Sequence, residues 1–169
     1  MMGHALASIG ASGNRFDGGG GGGGNSHRYW RMSVLSPHVS GYRLFMEVEY
    51  RGSVGGADLT GSGTASSSSE RSVNFGADRA FDDDDGTFYQ PALSAALPIY
   101  LDYDFGADTE VQEIAIFGHA NATIAGRTIY EFEMFYSDNG VDWTAAGWSE
   151  TGDGQFGGGE TRTYTAPWV

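Results

Sequence analysis

The sequence predicts an all-β sandwich preceded by a flexible, glycine-rich N-terminal arm. Three observations carry this expectation. Short runs alternate apolar with polar residues, turn residues punctuate those runs, and no segment sustains a 3.6-residue apolar period. A chain of 169 residues holds one domain and a short tail. Glycine supplies 28 of them and aromatics 14%, a turn-rich composition with enough large rings to fill a core.

The arm is placed at 1–28 and the sandwich at 29–169. Gly18 to Gly24 is an unbroken glycine run, which holds neither helix nor strand and behaves as a tether. Leu6, Ile9 and Phe16 precede it. A pure spacer has no use for them. The arm is therefore read either as a disordered tail or as an element that orders against a partner, with those three residues as docking anchors. The first ten residues lack a basic stretch and a continuous apolar core, so no signal peptide is expected. No segment approaches the eighteen or so apolar residues of a membrane span.

The strands follow in order. Trp30, Met32 and Val34 share one face of the first. Over 42–50, Leu44, Met46, Val48 and Tyr50 oppose Arg43, Glu47 and Glu49. Ile99, Leu101, Tyr103 and Phe105 alternate with Tyr100, Asp102 and Asp104. Tyr130, Phe132, Met134 and Tyr136 alternate with Glu131 and Glu133. Period two with one polar face predicts antiparallel strands buried on one side. Residues 111–117 shift phase after Val111, which predicts a bulge or burial on both faces. Asn139-Gly140 marks a hairpin. Residues 74–82 hold the one helix-like stretch, long enough for a short turn. Trp30, Phe105 and Trp143 are expected in the core.

Acidic side chains number 22 and basic ones 9, giving a net charge of −13, and every basic residue is an arginine. Such a chain lacks the basic footprint that phosphate backbones require and repels anionic membrane surfaces. Nucleic acid and membrane insertion are excluded as partners. Absence of cysteine removes disulfides, zinc–thiolate sites and thiol nucleophiles. No Gly-x-Ser-x-Gly, His-Glu-x-x-His or phosphate-loop pattern occurs, and a carboxylate pair drawn from 22 acids is an arbitrary choice. The chain is expected not to be an enzyme.

Four segments in order resemble the discoidin, or coagulation factor 5/8 type C, domain. The first is Gly63-Thr64-Ala65 to Ser69. Next, Asn74 to Asp82 followed by Thr87-Phe88-Tyr89 is similar to the family's A-x-D-G-x-x-x-T-x-W element, with Tyr89 at the usual tryptophan. Ile99 to Gly106 followed by Val111 to Ile116 resembles its W-x-x-x-D-L-G-x-x-x-x-V-x-x-I-x-I strand pair. Last, Phe135 to Thr144 is similar to its S-x-D-G-x-x-W-T hairpin. The resemblance covers about 29–166. It implies a discoidin-like, galactose-binding-like jelly roll of about eight strands. It also implies a non-catalytic module that binds carbohydrate, lipid headgroups or protein through loops at one end. At the front, His27 to Met32 and Met46 to Arg51, ahead of Gly55 to Thr60, resemble a form of the domain found in tailed-phage virion proteins.

The resemblance implies sites as well. Many carbohydrate-binding relatives hold one structural calcium near the loop Asp82-Asp83-Asp84-Asp85-Gly86, and Asp82, Asp85 and Thr87 map onto its ligands. Asp83 replaces the usual glycine. The loop is not an EF-hand, because Leu93 falls where that motif needs glutamate. The alternative is a solvated acidic turn. Sugar-binding relatives use an arginine, an asparagine and often a histidine beyond the 111–117 strand, with a stacking ring; His119, Asn121 and Arg127 map there. Tyr89, Trp148 and Phe156 are the candidate platforms, and ordinary loop residues are the alternative. Two functions stay open. One is a phage virion surface module, on a fibre, spike or head fibre, that attaches to host-surface glycan. The other is a structural virion decoration or connector that docks by its arm. Either is expected as a homo-oligomer or multi-copy array among other virion proteins, made in the host cytoplasm.

Overall fold

The computed structural model describes residues 25–35 and 43–169. Leu6, Ile9 and Phe16 lie outside the described residues. The chain forms eight strands: β1 (Ser26–Val34), β2 (Glu47–Arg51), β3 (Thr64–Ser67), β4 (Ile99–Glu110), β5 (Glu113–Phe117), β6 (Phe132–Ser137), β7 (Thr144–Glu150) and β8 (Thr161–Thr165). They build a five-stranded sheet in the order β3-β4-β1-β6-β7 and a three-stranded sheet in the order β2-β5-β8. Every pairing between named strands is antiparallel.

Trp30, Met32 and Val34 are fully buried, as their alternation predicts, and β1 pairs on both sides, with β4 and β6. Strand β1 begins three residues before the expected boundary at 29. The extension is cross-linked: His27 pairs with Thr109 and Arg28 forms a two-bond ion pair with Asp104. The inner faces of the two sheets meet through aromatic edges. Tyr50 of β2 packs on Tyr103 of β4 at 6.2 Å between centroids, and Phe132 of β6 on Tyr164 of β8 at 5.2 Å. Such edge-to-face contacts suit the ring quadrupoles.

Two expectations are corrected, and one alternative left open is decided. Over 42–50 only Glu47 onward is strand; Leu44 and Phe45 make isolated bridges to Thr128 and Tyr89. The phase shift after Val111 reflects two-sided burial rather than a bulge: β5 is the central strand of the smaller sheet, and Ile114, Ala115 and Ile116 are all buried. The register breaks fall instead at His27/Tyr29 and at Met134/Phe135. Trp143 is not core. It lies against the Arg31 guanidinium, 3.8 Å from the ring centroid, and Arg31 also covers Tyr100 at 4.3 Å. Residues 74–82 hold two short 3-10 turns, Val73–Phe75 and Ala77–Ala80.

Candidate functional site

One end of the sandwich gathers the start of β2, the end of β5 and the start of β8. The loop after β5 runs through His119 into a single helical turn, α1 (Ala122–Ala125). Asn121 caps that turn: its side-chain oxygen accepts from Thr123 N–H at 3.0 Å and Ile124 N–H at 3.4 Å. Capping satisfies amides that a helix start leaves unpaired. The Asn121 amide in turn donates to His119 Nδ1 at 2.8 Å. A ring nitrogen that accepts must lack a proton, so the neutral imidazole carries its proton on Nε2.

The loop before β8 locks onto this one. Gly118 N–H donates to Glu160 O at 2.8 Å and Gly159 N–H to His119 O at 2.9 Å. Contact is too close for side chains at Gly158, where a Cβ would sit 2.7 Å from Ala120 O. Arg162 holds the loop from below. Its guanidinium donates to the carbonyls of Asp153, Gly154 and Gln155, forks onto Glu160, and lies 4.3 Å over Phe156. That fork keeps the Glu160 carboxyl below the usual carboxylate range.

Between the loops is a cleft of about 160 Å³, lined among others by Met46, Asp85, Phe117, His119, Gly159 and Thr161. It brings together two residues that the sequence reading had assigned to different sites, Asp85 and His119. A larger cleft of about 350 Å³ lies on the flank, lined among others by Gly61, Gly63, Phe81, Asp82, Asp83 and Tyr103. The smaller one is the better candidate, because it alone pairs a ring N–H donor with a carboxylate and an apolar wall. The larger offers mostly carboxylates, over rings that are almost fully buried.

The remaining assignments separate. Tyr89, Trp148 and Phe156 are buried, at 0%, 2% and 3% exposure, and present no ring face to a ligand. Tyr89 donates its hydroxyl to Ser69 O, and Trp148 its indole N–H to Glu150. These three are core residues rather than stacking platforms. Asn121 spends its oxygen on the cap. Arg127 follows α1 and is tied by its backbone to Leu44 and Ile124, and it does not line the cleft. Met46, Phe117 and Thr161 also line the cleft, although the sequence assigned none of them to a binding site.

The calcium ligands implied by the resemblance do not assemble either. Thr87 donates its hydroxyl to both oxygens of Asp82 at 2.9 Å, while Asp85 faces the His119 cleft. Arg79 supplies the positive charge at Asp82, with Nη1 at 3.1 Å from Oδ2. Among the described residues no three acidic or histidine side chains gather around one point. The residues present do not fit the family's calcium site.

Compared with known proteins, residues 62–168 match the family model described as F5/8 type C domain. No curated protein matches, and no solved structure does.

Proposed function

Because the chain belongs to the F5/8 type C domain family, a family of ligand-binding modules, we propose that it is a non-catalytic module that takes carbohydrate at the loop end around His119. The observation that carries this reading is the shared cleft of His119 and Asp85. An imidazole N–H donor, a carboxylate acceptor and the apolar side chains of Met46 and Phe117 suit a sugar, whose hydroxyls need both hydrogen-bonding senses and whose C–H face needs an apolar wall. The cleft is small, so one copy holds a terminal sugar weakly and a multi-copy array gains by avidity. The finer reading is a virion surface module that attaches to host glycan, supported by the resemblance of 27–32 and 46–51 to tailed-phage virion proteins. The test is a glycan array probed with the full chain, followed by titration of hits against His119→Ala and Asp85→Asn. Retention of a hit in the wild type and its loss in both variants is expected. No hit at all, or hits indifferent to both variants, would sink the proposal.

A second reading keeps the sandwich as a projecting decoration and gives attachment to the arm through Leu6, Ile9 and Phe16. It is favoured by the position of those residues, which lie beyond a glycine tether that leads directly into β1. Deletion of 1–24 that leaves the sandwich folded but abolishes incorporation into a larger assembly is the outcome this reading expects.

A further inference from the structure

Four consecutive aspartates repel one another unless something separates or neutralises them. The loop does both with its own atoms. Asp82 turns inward to Arg79 and Thr87. Asp83 adopts φ 54, in the left-handed region, and faces Gly61 across the flank cleft. Asp84 folds back on its own turn, accepting from Gly86 N–H at 2.8 Å. Asp85 lines the separate His119 cleft.

The Asp82 carboxylate accepts from three groups of its own loop and the preceding turn. A carboxylate offers about four lone-pair sites. Thr87 bridges both of its oxygens, the Asp84 amide donates to Oδ1 at 3.3 Å, and Arg79 donates to Oδ2. Arg79 also lies 3.7 Å from Asp78 by its Nε, so one guanidinium spans a carboxylate within the Ala77–Ala80 turn and one beyond it. Thr87 is held against Asp82, whereas Asp85 lines the His119 cleft. A calcium ion requires six to eight oxygens around one point. Here the donors that would supply them are engaged with each other or diverge.

We infer that Arg79 takes over the loop-pinning role that a calcium ion plays in relatives, so that this chain folds and holds the loop without metal. Arginine suits the task, since its planar fork is permanently charged and reaches two carboxylates from one stem.

The experiment compares melting of the wild type, Arg79→Gln and Arg79→Lys, each in millimolar calcium and in a chelator, with calcium binding to the wild type read by calorimetry. Superimposable wild-type melts and no calcium heat are expected. Arg79→Gln should lose about 2–5 °C, while Arg79→Lys, which keeps the charge, should lose less than half of that. Proteolysis within 82–87 should rise in the same order. If Arg79→Gln fails to fold, folding of Arg79→Lys with calcium-indifferent melting carries the same conclusion. A wild-type melt that rises with calcium and falls with chelator overturns the inference. So does an Arg79→Gln variant that melts with the wild type, because the guanidinium would then not be what pins the loop.

Discussion

Gly63 sits flat against the ring of Tyr103: its N–H donates to the phenol oxygen at 2.8 Å, and a Cβ at Gly63 would lie 2.5 Å from the ring edge and 2.4 Å from Asp104 O. The contact seals the edge strand β3 onto β4 just where the flank cleft opens. Neither the ring, packed among Tyr50, Phe81 and Phe105, nor the Asp104 backbone has room to move. Gly63→Ala should therefore cost about 2–4 kcal/mol in urea unfolding, as an overpacked site does. Tyr103→Phe should cost only about 1 kcal/mol, since it deletes one hydrogen bond and keeps the ring. Equal losses in the two variants would mean that the hydrogen bond, not the close approach, makes the contact.

Asp83 is the one non-glycine residue with positive φ among the described residues. That region costs an L-residue roughly 1–2 kcal/mol, less for aspartate, whereas glycine enters it freely. Glycine loses part of that advantage to the entropy of the unfolded chain. The expected net result for Asp83→Gly is a gain of about 0.5 kcal/mol, and Asp83→Ala should lose about 1 kcal/mol. A denaturant midpoint that moves the same way in both variants would show that the carboxylate, not the backbone, governs this position.

Glu47 is 4% exposed beneath the acidic loop, and its Oε2 has no hydrogen-bond partner. Burial pushes its carboxyl up to about 8 against the opposing pull of the Val48 amide, and the Asp82 and Asp83 carboxylates push the same way as burial. The folded value lies above the unfolded one. Its stabilising contribution is thus fully present below about pH 4.5 and is lost as pH rises through about 8. Glu47→Gln removes this slope. The variant should be more stable than wild type by about 1–3 kcal/mol at pH 9 and close to it at pH 5. Subtracting the two profiles isolates Glu47 from carboxyls such as Asp104, held low by Arg28, whose contributions run in the opposite sense. A difference between wild type and variant that stays constant from pH 5 to 9 would be inconsistent with a buried, neutral Glu47.

The same residue shows where the sequence stops being informative. Trp30, Met32 and Val34 were legible as core because a strand with one solvated face imposes period two. Glu47 falls on the polar phase of its strand, yet the 82–85 loop folds over it, and a distant loop leaves no trace in local periodicity. Trp143 and Tyr89 were interchanged for a related reason: a ring beside a hairpin signal and a ring in a loop look alike until the sheets close. Strands β7 and β8 carry little alternation, with only Trp148 and Tyr164 fully turned inward along their lengths. Within the site, His119 was legible by its place after β5. Its partner Asp85 was not, because a run of four aspartates does not reveal that they point in four directions.

Arg162 offers the most direct test of whether the two loops act as one site. It makes hydrogen bonds to three successive carbonyls and to Glu160, and stacks on Phe156, so it fixes 153–160 against the start of β8. Through Gly159 that loop bonds to the His119 carbonyl, and through Gly158 it packs on the Ala120 backbone. Lysine keeps the charge but cannot fork onto four acceptors at once. Arg162→Lys should therefore cost no more than about 1–2 kcal/mol of global stability, since the guanidinium acts on an exposed loop. Locally the effect should be larger. Amide exchange across 153–160 should accelerate at least tenfold, and the Gly159 and Asn121 amides should follow, because each is bonded to His119. Any glycan held at the cleft should dissociate faster, as its wall is no longer preorganised. Fast exchange in 153–160 with Asn121 unchanged would show that the loops are neighbours without being coupled, and His119 would then have to be positioned by the α1 cap alone.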